Sequence, residues 1–277
     1  MPRIDAHQHY WRYDPARHDW ITDSMRIIRR DFLPEHAAPL LASAGIDGVV
    51  AVQADQSEAE TDFLLALAAR SSVIRGVVGW VDLLAPDLDE RLSRRRGAVA
   101  LKGFRHIAQS EPNDFLSRQD VARGVARLGE YDFSYDILIY PAQLAAAEAL
   151  VARCPGVRFI LDHCAKPDIA RHEIARWRAG LSRLALHPNV CCKISGLVTE
   201  AAWDTWTDAD LVPYLDATIE LFGADRLMFG SDWPVCLVAA EYAEVVGVVQ
   251  RFAERLAPGE RDRLFGGTAA AVYHLEG

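Results

Sequence analysis

Three short stretches carry residue types whose spacing suits chemistry. They are "RIDAHQH" at the start, Asp162 and His163 after the apolar run "VRFIL", and Ser231 and Asp232 after "RLMFG". In a β-strand alternate side chains share a face, so His7 and His9 point the same way, with Asp5 behind them. By the same rule Asp232 lies with Gly230 and Met228, and His163 lines up with Leu161 and Phe159. Asp162 falls opposite unless the strand end bends. Taking the His7/His9 face as inward, His7, His9, His163 and Asp232 converge. Three imidazoles and a carboxylate suit a divalent ion such as zinc, and without metal the same set can activate water as a general base.

Cations gather on two further stretches: Lys102, Arg105 and His106 in "LKGFRH", and Lys193 beside Ser195 in "CKISG". A cation near a buried strand end must be paired or used. The pairing alternative is an ion pair with an inward carboxylate such as Asp5 or Asp162. The functional alternative is binding an oxygen-rich or anionic substrate and polarising its carbonyl.

These residues need a scaffold. Eight β-rich apolar runs recur: 3–9, 48–54, 74–83, 98–107, 134–140, 157–165, 189–197 and 226–235. Between them lie helix-like segments such as "ETDFLLALAARS" and "PAQLAAAEALVARC". Eight strand–helix repeats predict an α/β fold of the (β/α)8 barrel type, with chemistry at the C-terminal ends of the strands, where these polar residues fall. A doubly wound sheet is the rival, but no glycine-rich phosphate turn is present. No linker or low-complexity tract divides the chain, so residues 1–277 are expected to form one barrel domain. The connection 11–45, with Trp11, Tyr13 and Trp20, is expected to lie over the mouth. The tail "LFGGTAAAVYHLEG" reads as a closing helix with Thr268 as N-cap.

The formal net charge of −9 on 277 residues argues against nucleic acid or an anionic membrane as partner. A small molecule is the expected partner; homo-oligomerisation is left open. With no apolar run of spanning length and no signal-like start, the expected location is cytoplasmic. The five cysteines, two of them adjacent, read as buried free thiols.

The pieces "DAHQHYW", "LKGFRH", "LDHCAKP", "CKISGL", "LMFGSDWPV" and "GGTAAAVY" resemble the amidohydrolase superfamily, in its amidohydrolase-2-type sugar lactonase branch, over essentially the whole chain. The resemblance implies a barrel that opens a sugar-acid lactone with water activated at Asp232, and superfamily metal ligands at His7, His9, His163 and Asp232. The fifth run, "SYDILIY", lacks the histidine of binuclear members. At most one divalent ion, zinc or similar, is therefore expected, in a branch that does not uniformly depend on metal. On this reading His7, His9 and His163 orient the water, and Lys102 and Arg105, with Lys193, stabilise the oxyanion. Trp11, Gln53, Trp80 and His106 are the further substrate contacts. Other classes stay open: a decarboxylase of the same superfamily, a Schiff-base aldolase using Lys102 or Lys193, and a sugar-acid binder without chemistry.

Overall fold

In the computed structural model, which describes residues 1–275, eight parallel strands form one sheet in the order β1 to β8. They are β1 Ile4–Gln8, β2 Gly48–Val52, β3 Ile74–Gly79, β4 Leu101–His106, β5 Ser134–Ile137, β6 Phe159–Leu161, β7 Val190–Ile194 and β8 Leu227–Phe229. Each coincides with one of the eight apolar runs, at shorter length. The strands are buried on both faces, which is why "GVVAV" and "FIL" read as continuous apolar runs rather than alternating ones.

Helices fill the connections: α1 Pro34–Ala44, α2 Glu58–Ala68, α3 Leu88–Arg95, α4 Gln119–Glu130, α5 Leu144–Arg153, α6 Ala175–Ala185, α7 Asp208–Phe222 and α8 Tyr242–Ala253. In α4, Val121, Val125 and Leu128 recur at helical spacing and are buried against the sheet. Ser57 caps α2 by accepting from the Glu60 N–H. Two short helices end the chain, α9 Pro258–Asp262 and α10 Thr268–Val272. Thr268 opens α10 as its first helical residue; Gly267 precedes it as the cap, already in helical backbone.

Inside the barrel Ile4, Ala6, Val50, Val52, Val78, Ile160 and Met228 pack with Tyr273 from the tail. The tail thus plugs the N-terminal end of the barrel. The seam between β8 and β1 is joined at the other end, where His9 N–H donates to Trp233 O at 2.7 Å and Asp232 N–H to His7 O at 2.9 Å. The bonds that join this seam are therefore the ones that fix the chemical residues at it.

Candidate active site

The histidine pair does not sit on a regular strand. Register slips between Asp5 and Gln8, and the Asp5 carboxylate turns to accept from Ser231 N–H (2.8 Å), Gln8 Nε2 (2.8 Å) and the Tyr242 hydroxyl of α8 (3.3 Å). Asp5 ties β1 to β8 and α8 instead of backing the histidines inside the barrel. His7 and His9 converge as the alternation rule requires, their Nε2 atoms 3.1 Å apart.

At the end of β6 the alternation reading is reversed. Ile160, not Phe159 or Leu161, faces the barrel interior, so Asp162 points inward by regular alternation. His163 joins it because residues 163–166 all take left-handed backbone, with φ of 53°, 51°, 59° and 48°. Each such residue costs about 1–2 kcal/mol when it is not glycine. Buried bonds hold the turn, among them Trp177 Nε1–H to Cys164 O at 2.7 Å. Gly196 permits the approach: a Cβ there would lie 2.6 Å from His163 Nδ1.

The three imidazoles aim Nε2 at one carboxylate oxygen. Asp232 Oδ1 lies 3.4 Å from His9, 3.8 Å from His7 and 3.9 Å from His163. Their far nitrogens are held by His9 Nδ1 at Val52 O (2.8 Å), His163 Nδ1 at Ser195 Oγ (2.8 Å) and His7 Nδ1 near Asp162 Oδ1 (3.3 Å). Tetrahedral zinc with bonds of about 2.0–2.1 Å has ligand edges of about 3.3 Å, and a carboxylate or carbonyl behind each imidazole is the usual outer support. The donor set therefore fits a single divalent ion. Burial lowers His163 to about 4 and pushes His7 well below the ordinary range, so both imidazoles are neutral at neutral pH, as ligation requires. Burial alone would raise the Asp232 carboxyl; the imidazoles, His163 foremost, outweigh it and keep the group ionised.

A second group of donors, His7, Asp162 and His163, does not suit a second ion. Lys193 Nζ already stands 3.0 Å from Asp162 Oδ1 and 3.2 Å from His7 Nδ1, and is paired with Asp136 at 2.6 Å. An ammonium fills that place.

Above this floor opens a cavity of ≈ 600 Å³ into which His9, Arg105, His163 and Asp232 face. Arg105 is held by Asp162 Oδ2 at 3.0 Å and by the carbonyl of Gln53. Several sequence expectations need correction. Lys102 donates to the carbonyl of His274 at 3.0 Å, at the tail-plugged end, because it sits near the start of β4. Lys193 is fully buried in its ion pairs, the pairing alternative. Gln53 is buried and donates to Arg105 O at 3.1 Å, so it positions the arginine. Trp11 packs against Trp20 and Phe32, and His106 against Phe115 and Glu111. Trp80, bonded through its backbone to Thr61, likewise does not line the cavity.

The cavity walls bring in residues that the sequence did not single out: Arg17, Asp55, Gln109, Lys166, Glu200 and Trp203. Trp20 and Arg17 come from the long first connection, which does cover the mouth as expected. Lys166 was within reach of sequence reasoning, since it stands three residues after His163 in "LDHCAKP", but nothing in that string announces a left-handed turn.

The chain is similar over its length to known proteins. The family model for amidohydrolases matches residues 4–275. An L-fucono-1,5-lactonase of Burkholderia multivorans is 47% identical, with 99% of this chain and 96% of that protein covered. An L-fucono-1,5-lactonase of Burkholderia ambifaria is 36% identical at the same coverage. A crystal structure of an amidohydrolase from Burkholderia multivorans with bound zinc superimposes with a TM-score of 0.96 at 47% identity, covering all of both chains.

Proposed function

From the premise that this chain belongs to the amidohydrolase family, we propose that it opens L-fucono-1,5-lactone or a near relative through water activated at Asp232. The chain is a hydrolase that acts on an aldonolactone. The observation that carries the mechanism is the convergence of three Nε2 atoms on Asp232 Oδ1 at the floor of the cavity.

The ionised Asp232 accepts a proton from water as the water oxygen bonds to the lactone carbonyl carbon. His9 and His163, facing the cavity, hold that water by hydrogen bonds; His7 lies beneath them and fixes their spacing. Negative charge grows on the carbonyl oxygen, and Arg105 at the cavity floor supplies positive charge toward it. As the ring carbon–oxygen bond breaks, the ring oxygen leaves as a hydroxyl, taking the proton held by Asp232. The products are a free carboxylic acid, which ionises, and the released hydroxyl. A divalent ion, zinc or similar, would be held by His7, His9, His163 and Asp232, and would add Lewis-acid charge beside the carbonyl.

Among the described residues no helix is long and apolar enough to cross a membrane. We place the enzyme in the cytoplasm, acting on a diffusible substrate.

The test is a panel of aldonolactones and aromatic carboxylates, read with a pH indicator and for CO₂. Acid release from L-fucono-1,5-lactone without CO₂ is the expected result. CO₂ release from a carboxylate, with no lactone opened, would overturn the reading.

A further inference from the structure

Lactone opening needs positive charge at the carbonyl oxygen, and three of the cavity-lining residues are cations: Arg17, Arg105 and Lys166. Arg17 is spent at the mouth, bonded to Asp55 at 2.5 Å and to Ser57 at 3.2 Å. Arg105 Nη1 is engaged by Asp162 and its Nη2 by the carbonyl of Gln53, which leaves its buried Nε as the donor without a partner among the described residues. Lys166 is different. Its ammonium carries three donors, and its partners are a single carboxylate oxygen, Glu200 Oε1 at 3.3 Å, and the face of Tyr140 at 5.6 Å.

Its position is also built at a cost. Four successive non-glycine residues in left-handed backbone, 163–166, bring His163 and Lys166 to the same cavity, with Lys166 N–H closing the turn on His163 O at 2.8 Å. Strain that persists at one point of a fold, where it places two polar side chains on one cavity wall, points to a role for both. His163 lies over Asp232; Lys166 is its counterpart on the wall.

We infer that Lys166 is a catalytic residue whose ammonium binds the lactone carbonyl oxygen and stabilises the oxyanion, with Glu200 positioning it against the cavity wall. This rests on the lactonase reading above. No proton is transferred by Lys166: it donates a hydrogen bond that strengthens as charge develops and weakens when the ring oxygen leaves. This takes over the role that the sequence assigned to Lys102 and Lys193.

The experiment is steady-state kinetics on L-fucono-1,5-lactone with Lys166→Met, Lys166→Arg and Glu200→Gln, each checked for fold by circular dichroism. Loss of one oxyanion donor lowers kcat by roughly 10²–10³-fold. Lys166→Met should show that loss with KM changed less than about threefold, and Lys166→Arg should recover part of it. Glu200→Gln keeps the ammonium and should retain kcat within about tenfold. A kcat for Lys166→Met within about threefold of the parent overturns the inference, as does a loss confined to KM. So does Glu200→Gln as inactive as Lys166→Met. If Lys166→Met does not fold, Lys166→Gln, which keeps a polar group against Glu200, is read by the same criteria. If neither folds, Glu200→Gln is judged against the parent: a kcat within about tenfold supports the inference, and a loss of roughly 10²-fold or more overturns it. Failure of the parent protein to open any lactone would instead remove the underlying reading.

Discussion

Lys193 and Asp136 form an ion pair at 2.6 Å inside the barrel, with neither side chain exposed. The same ammonium reaches Asp162 at 3.0 Å, and Asp162 in turn holds Arg105, so two cations and two carboxylates neutralise one another beneath the histidines. Removing one partner of such a pair leaves a buried charge uncompensated, at about 3–5 kcal/mol. Lys193→Met should therefore lower stability by that amount in chemical denaturation. The double variant with Asp136→Leu should recover much of it. A Lys193→Met protein as stable as the parent would show that the pair is not a structural element.

The same ammonium limits metal content. Because Lys193 occupies the place between His7 Nδ1 and Asp162, the protein should take up no more than one zinc per chain, by elemental analysis after dialysis. His9→Asn should reduce that uptake further, since it removes an Nε2 from the set around Asp232. Two equivalents in fully active protein would contradict this arrangement.

Besides Arg105 Nε, two buried polar atoms of cavity-lining residues, Trp20 Nε1 and Gln109 Oε1, have no hydrogen-bond partner among the described residues. Buried polar groups are nearly always paired, so these are the expected contacts for substrate hydroxyls. A neutral hydrogen bond contributes about 0.5–1.5 kcal/mol, or roughly 2- to 12-fold. Trp20→Phe and Gln109→Leu should each lower kcat/KM by that factor. Unchanged kcat/KM on L-fucono-1,5-lactone in both would place the hydroxyls elsewhere.

Glu60 on α2 gives a pH signature apart from catalysis. Burial raises its carboxyl from 4.5 to about 7, and Ala54 N–H at 3.3 Å only partly opposes that. With the folded value above the unfolded one, the folded state holds the proton longer. Its stabilising effect is complete below pH 4.5 and is lost as pH rises through about 7, on the order of 3 kcal/mol in total. Melting temperatures from pH 4.5 to 8 should fall less steeply for Glu60→Gln than for the parent. Parallel curves would show that Glu60 is not the group responsible.

The barrel was legible in the sequence because eight two-face-buried strands and their amphipathic helices leave a periodic trace. His7, His9, His163 and Asp232 were legible because polar residues interrupt apolar runs at strand ends. What escaped was set by irregular backbone. The slip in β1 after Asp5 separates that carboxylate from the histidines, and the left-handed turn after β6 brought His163 and Lys166 into the cavity, against or beyond simple alternation. Lys102, Lys193 and Gln53 were misplaced for another reason. Residue type says that a buried polar group must be satisfied, but only the neighbouring strands decide whether protein or substrate does so: His274 O for Lys102, Asp136 for Lys193, Arg105 for Gln53.

The central claim is that Asp232 takes the proton of the attacking water. Asp232→Asn keeps the shape and the backbone bond to His7 but cannot accept that proton. Turnover of L-fucono-1,5-lactone, followed by acid release, should fall by roughly 10²–10⁴-fold, with an unchanged circular dichroism spectrum. Folded Asp232→Asn protein that opens the lactone at near the parental rate would contradict the account.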